Sequence, residues 1–328
     1  MDKQLINRIL PHYLKKRILV TGASGYLATN LINAIKDIDC TIIRLSRSSS
    51  LPPIDGKAHI IDVSGDICTI QTWENIVNNI DIVFHFAAQT SVYVADENPI
   101  DDFKINVLPM LSLLQTCRNK KVRPIIIFSG TVTEAGIPRN LPVNETCEDH
   151  PITIYDLHKL MAENYLKYYC SQGIVQGTIL RLANVYGPGP KSSSSDRGII
   201  NLMMCKALAN ECLIIYGKGD CLRDYIFIED VTSAFLETVG HIGKLNGKYF
   251  VLGSGQGHTL AKAVNLIVEQ VFLKNKKRVE VKHVEPPLTQ SPIETRNFVA
   301  DSRQFSNATG WKAKFSLIEG IDRTIDSC

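Results

Sequence analysis

Tyr155 and Lys159 lie four residues apart in the segment Tyr155-Asp156-Leu157-His158-Lys159. On a helix that spacing puts a phenol and an ammonium on one face. A tyrosine is a poor acid or base near neutrality, because its ordinary pKa is about 10. A neighbouring ammonium favours the phenolate and brings the group towards a useful range. The pair is thus a candidate for moving one proton at a hydroxyl or carbonyl. Such pairs also arise by chance on helices, so the surrounding elements must decide. One supporting sign is Thr131, which ends Ser129-Gly130-Thr131 directly after the apolar run at 124–128 and so sits at an expected strand end.

The stretch 17–31 reads RILVTGASGYLATNL. Apolar Ile18-Leu19-Val20 predicts a short buried strand, residues 21–25 a tight turn, and Tyr26 onward a helix. Strand, glycine turn and helix in that order form a dinucleotide-binding fingerprint. Gly22 permits the sharp turn, Gly25 lets the backbone approach a pyrophosphate, and the new helix aims unpaired N–H groups at the anion. Ala28 fills the third glycine position, where only close helix–strand packing is required. Expected cofactor contacts here are Gly22, Ser24, Gly25, Tyr26 and Leu27.

The second strand, 41–45, ends in Leu45-Ser46-Arg47-Ser48, with no carboxylate between Asp39 and Asp55. A carboxylate there would hold the ribose hydroxyls of NAD, whereas a nearby arginine suits the 2′-phosphate of NADP. Ser46 and Arg47 therefore favour NADP(H), with NAD(H) as the alternative. A strand at 58–63 leads to Asp66-Ile67. Another at 81–85 runs into Phe86-Ala87-Ala88, small enough for a cofactor to lie close above it. A helix is expected at 101–117, with Ile105, Leu108, Leu111 and Leu114 at helical spacing. Residues 1–16 predict a small outer helix broken near Pro11. The alternation argues for an α/β chain built as a Rossmann doubly wound parallel sheet.

The totals exclude several classes. A net charge of +3 on 328 residues gives no case for nucleic acid or a membrane surface. No apolar stretch approaches the ~18 residues of a membrane span, and the charged start lacks a signal-peptide core. Nine scattered cysteines without a Cys-x-x-Cys pair fit reduced thiols and a cytoplasmic location. The eight histidines share no ligand spacing, so no metal is expected.

Taken together, these motifs resemble the extended short-chain dehydrogenase/reductase family, which modifies nucleotide sugars. The resemblance runs from about residue 17 to 320. TGASGYLA at 21–28 is similar to the family's TGxxGxxG, Asp66-Ile67 to its adenine-contacting pair, and HFAA at 85–88 to its fourth-strand motif. Asn106 falls on a structural asparagine counted with the cofactor set, and Thr131 on the catalytic hydroxyl. Tyr155 and Lys159 match the catalytic pair, which also touches the cofactor. Arg181-Leu182-Ala183-Asn184-Val185-Tyr186-Gly187-Pro188 resembles RxxNxYGP, whose asparagine contacts the substrate diphosphate. Tyr216 and Arg223 fall in the stretches that bind the nucleotide, and Gln89, Thr90 and Thr131 near the sugar. Departures are His158 where serine is common, Phe227 where many relatives have histidine, and Pro292-Ile293-Glu294-Thr295-Arg296 in place of Arg-Pro-Gly-Asp. Glu294 is the candidate for the missing acid, and Arg296 for reaching a phosphate.

The resemblance implies an NADP(H)-binding domain at 1–185, with 224–252 returning to it, and a smaller α/β substrate lobe from 186–223 and 253–328. It implies hydride transfer at a sugar carbon: Tyr155 donates the proton to the keto oxygen, Thr131 hydrogen-bonds that oxygen, and Lys159 holds the nicotinamide ribose. Val132-Thr133 replaces the Asp-Glu of dehydratases, which argues against 4,6-dehydration. The Ser46-Arg47 end favours a 4-keto-sugar-nucleotide reductase of the kind that serves surface polysaccharides such as O-antigen; the alternative is a 4-epimerase with tightly bound NAD. The implied partners are a nucleotide-diphosphate sugar and a second copy of the chain, paired through helices at 101–117 and 155–170. The serine-rich loop at 191–197 is a candidate substrate lid.

Overall fold

The computed structural model describes residues 3–48, 51–190 and 198–327, so the loop at 191–197 lies outside the described residues. In its first half, α1 (Lys3–Tyr13), β1 (Arg17–Thr21), α2 (Tyr26–Ile35), β2 (Thr41–Ser46) and β3 (His59–Ser64) lead to α3 (Ile70–Ile76) and β4 (Ile82–His85). Three helices follow, α4 (Val92–Glu97), α5 (Pro99–Asn106) and α6 (Leu108–Lys120). Then come β5 (Ile125–Thr131), α7 (Ile154–Ser171) and β6 (Gln176–Leu182). The second half contains β7 (Asn184–Tyr186), α8 (Ile199–Leu208), β8 (Leu213–Tyr216), β9 (Leu222–Phe227), α9 (Ile228–Gly240), α10 (Ile242–Leu245) and β10 (Lys248–Leu252). It closes with β11 (Gly257–Thr259), α11 (Leu260–Asn275), β12 (Val281–Val284), α12 (Arg303–Thr309) and α13 (Leu317–Asp326).

Seven strands form one sheet in the order β10-β6-β5-β4-β1-β2-β3, and every pairing in it is parallel. The central strands are short aliphatic runs buried on both faces, as a sheet covered by helices on both sides requires. Strand order reverses at β1, which lies between β2 and β4, so a crevice opens at the carboxyl ends of these strands. Beyond the large sheet are a three-stranded sheet β11-β9-β7 and a two-stranded sheet β12-β8, packed around Tyr186, Met204, Ile267 and Ile321. No helix among the described residues is long and apolar enough to cross a membrane.

Three local expectations are corrected. The helix expected at 101–117 is two, α5 and α6, broken at Val107 because Pro109 has no N–H and opens a new first turn. Pro11 does not break the first helix, which continues to Tyr13; it sits in the last turn, and Leu14 N–H still donates to the Leu10 carbonyl. The strand at 124–128 extends to Thr131, since residues 129–131 pair in register with residues 180–182 of β6.

Candidate active site

The glycine turn is packed against the end of β4. Gly22 has φ +64°, and a Cβ on it would stand 2.9 Å from the Cα and N of Ala87. Thr21 explains why this approach is so close. Its hydroxyl accepts N–H bonds from Phe86 and Ala87, both at 3.0 Å, and so its single proton goes to His85 Nδ1 at 3.0 Å. That requires a neutral His85, and burial together with the Lys159 charge pushes its pKa down to about 3. Ser24 and Gly25 are exposed at the start of α2, and neither a side-chain cap nor an acidic residue occupies the first turn. A pyrophosphate fits those N–H groups.

Other expected cofactor residues ring this turn. Ser46 is buried, and its hydroxyl both accepts from Ser48 N–H and donates to the Ser48 carbonyl; Arg47 is exposed. Asp66 is exposed, with one carboxylate oxygen on Cys68 N–H, and the Ile67 carbonyl accepts from the buried Trp73 indole. Phe86, Ala87 and Ala88 are half-buried, and Phe86 packs edge-on against Phe235 of α9. The Tyr26 phenol points away to the Gly187 carbonyl at 2.9 Å, so its share of a cofactor contact is its backbone. Leu27 is half-buried and packs against the core.

Thr131, Tyr155 and Lys159 meet where β5 ends against α7. Tyr155 and Lys159 are buried, whereas Thr131 is half-buried. Lys159 Nζ stands 4.0 Å from the centre of the Phe128 ring. Burial drives its pKa down to about 8, while the carboxylates of Glu134, Asp102 and Glu163 oppose that fall. Lys159 is therefore an ammonium on the edge of neutrality, held charged by three acids. Thr131 caps a short 3-10 turn, and Glu134 returns the bond by accepting Thr131 N–H at 3.0 Å. Glu134 also lies 3.0 Å from Arg181 Nε, and Arg181 forks onto Glu163 and Asp149. Burial and the nearby Glu163 push the Glu134 carboxyl well above the carboxylate range.

A second network fixes the floor. Asp102, buried on α5, accepts Gln89 Nε2 at 2.7 Å and Asn106 Nδ2 at 2.9 Å on one oxygen, and faces His158 Nδ1 at 2.6 Å with the other. Asn106 also donates to the Gln89 carbonyl at 3.0 Å. The amide of Gln89 is consumed by Asp102 and Ser91, so its side chain braces the β4 loop rather than facing a sugar. Asn106 is likewise a brace that acts on the cofactor side through the Gln89 carbonyl. Thr90 is half-buried beside it.

On the substrate side, Asn184 and Tyr225 are register partners on β7 and β9. Asn184 Oδ1 and the Tyr225 hydroxyl are both buried without a partner among the described residues, the kind of unpaired polar group that marks a ligand site. Arg223 is buried, and its fork donates to the carbonyls of Leu222, Glu294 and Arg296, leaving Nε–H and one Nη2 proton for a phosphate. Glu294 is partly exposed, with Oε2 3.7 Å from Arg223 Nη2. Tyr216 is exposed at the end of β8. Arg296 is buried and donates to the Ile293 carbonyl, which turns it away from a phosphate role. Phe227 packs between Tyr186 and Phe315, where a histidine would bury a polar ring. Among the described residues no group of three or more histidine, cysteine, aspartate or glutamate side chains could hold a metal.

Sequence reasoning missed Thr21, Asp102, Thr133, Glu134 and Asp156 as parts of this site. Glu134 carried a signal: it follows Thr131 by three residues, the spacing of a capping box. The others are joined only by the fold.

Known proteins share this architecture. The UDP-glucose 4-epimerase of Azospirillum brasilense is 26% identical over 326 residues, covering 94% of this chain and 90% of its own. The solved UDP-glucose 4-epimerase of Thermotoga maritima with UDP-glucose is 28% identical and superposes with a TM-score of 0.83, over 94% of this chain and 97% of its own. That of Thermus thermophilus, in complex with NAD, is 25% identical with a TM-score of 0.79, over 94% and 98%. The model of one family matches residues 18–253, most of the chain and all of the seven-stranded sheet. This chain belongs to the NAD-dependent epimerase/dehydratase family.

Proposed function

We propose that this protein is a nucleotide-sugar 4-epimerase that works with tightly bound NAD. One observation carries the reading: Thr131, Tyr155 and Lys159 converge at the carboxyl edge of the sheet, with no carboxylate at 132 or 133 to take part in dehydration. The epimerases among its relatives support the same choice over reduction. Bound NAD would be held by Gly22, Gly25 and the first turn of α2 at its pyrophosphate, Asp66 and Ile67 at its adenine, and Lys159 at its nicotinamide ribose. The chemistry it supplies is reversible hydride acceptance. Tyr155 takes the proton of the sugar hydroxyl, and Lys159 stabilises the phenolate that must precede that step. Asn184 and Arg223 take the diphosphate, so that remote binding energy orients the sugar. A second copy of the chain pairs through α6 and α7.

A second reading, a 4-keto-sugar reductase using NADPH, rests on Arg47, which is exposed at the end of β2 with no competing carboxylate on that strand end. The dinucleotide released from freshly purified protein by mild denaturation separates the two. Near-stoichiometric NAD that survives dialysis is the expected result. Empty protein, or exchangeable NADP(H), overturns the epimerase reading and installs the reductase.

A further inference from the structure

We propose that Thr133 and Asp156 are positioning residues: they fix the direction of the hydrogen-bond chain ending at Thr131, and so make its oxygen an acceptor for the sugar hydroxyl that loses hydride. The inference rests on hydride transfer at this site and holds for either the epimerase or the reductase reading.

Thr131 Oγ1 lies 2.8 Å from Thr133 Oγ1, and Thr133 Oγ1 hydrogen-bonds Asp156 Oδ1. An ionised carboxylate only accepts, so the proton of Thr133 goes to Asp156. A hydroxyl carries one proton, so in the contact between the two threonines Thr131 must donate. The chain therefore runs one way, from Thr131 through Thr133 to Asp156. Thr133 and Asp156 are buried, while Thr131 is half-buried and alone reaches the cleft. With its proton committed inward, Thr131 offers lone pairs outward; one is partly engaged by Thr133 N–H at 3.3 Å.

The direction matters because an alcohol donates a hydrogen bond and a ketone can only accept one. Thr131 so oriented favours the alcohol form of the sugar and holds its O–H for loss of the C–H hydride. Asp156 lies on α7, whose first turn Thr153 caps by accepting Asp156 N–H at 3.2 Å. Asp156 neighbours Tyr155 in sequence, but the helix turns it towards the Thr131 capping turn. The same first turn of α7 thus carries the phenol and the carboxylate that orients its hydroxyl partner.

The test uses full-length protein carrying its bound dinucleotide, with UDP-glucose as probe. Formation of reduced nicotinamide is followed in a single turnover for wild type, Thr133→Val, Asp156→Asn, the double variant and Thr133→Ser. Each of the first two is expected to lower the rate about tenfold or more with KM within about threefold of wild type, since the loss falls on the reacting geometry. The double variant is expected to be no slower than the slower single variant, because both act through one chain. Thr133→Ser, which keeps the hydroxyl, recovers most of the rate. Multiplying losses, or a serine variant as slow as the valine one, overturns the proposal. A readout without sugar covers the case in which UDP-glucose is not a substrate, a result that counts against the UDP-hexose reading alone. In threonine-labelled protein, NMR should find a Thr133 hydroxyl proton protected from solvent exchange, with protection lost in Asp156→Asn. An unprotected Thr133 hydroxyl in wild type overturns the chain.

Discussion

Asp102 has more partners than any other single side chain on the floor of the site. It binds Gln89 of the β4 loop, Asn106 of its own helix and His158 of α7, all from a buried position. His158 is the residue where serine is common in the resembling family, and the structure gives its physical partner: a carboxylate 56 residues earlier in the chain. Truncating Asp102 strands three buried donors at once. Each orphaned group costs roughly 1–3 kcal/mol, so Asp102→Ala is expected to destabilise the fold by about 3 kcal/mol after relaxation. Urea unfolding should show a lower midpoint at unchanged slope. His158→Ser, which fills the position with a small hydroxyl and leaves the other two bonds in place, should cost less. If Asp102→Ala unfolds at the wild-type midpoint, the network does not brace the floor.

At the scale of elements, the turn between β1 and α2 is held to the end of β4 by neutral His85. The unfolded chain takes up a proton on this histidine as pH falls below about 6.5, its ordinary value. The folded chain excludes that proton until about pH 3. The unfolded state therefore binds more protons across this window, and stability is lost as pH falls through it, by about 2 kcal/mol between about pH 7 and 5. Burial raises the carboxyls of Glu134, Asp224 and Asp230, which pushes the other way. The share of His85 is accordingly read as the difference in pH slope between wild type and His85→Asn, and equal slopes would refute it. These elements also mark how much was legible in the sequence. Strands β1, β2 and β4 were readable because a buried parallel strand is a short unbroken aliphatic run, and the glycine turn because its residue types are dictated by backbone geometry. The split at Val107 was not, since a proline in a first turn and one inside a helix look alike until the preceding turn is seen. Nor was the Asp102–His158 pair, or the reach of Asp156 to Thr133, because no periodicity links residues that only tertiary packing brings together.

For the whole molecule, the remaining question is what covers the outer face of α6 and α7. Leu157, Met161, Tyr165 and Tyr168 form a stripe along α7, with Leu157 42% and Tyr168 59% exposed. Leu108 and Leu111 add a half-buried apolar row on α6. Helix α7 has 18 residues, about 27 Å of length at 1.5 Å per residue, so the stripe is long enough to pair with its own copy. An isologous contact repeats the same face on both partners, and two helices from each would form a four-helix bundle. Burying α7 in this way also stiffens the helix that carries Tyr155, Asp156 and Lys159, which ties assembly to the geometry of proton transfer. The expected mass in solution by light scattering is that of two chains. Replacing Leu157 and Tyr168 together by aspartate places charges at the centre of the bundle and should yield monomers that still unfold cooperatively. Because the cofactor turn lies on β1 and α2, away from this face, those monomers should keep their dinucleotide while hydride transfer slows. Monomeric wild type, or a double variant that remains dimeric, would remove α6 and α7 as the interface and leave the stripe to another partner.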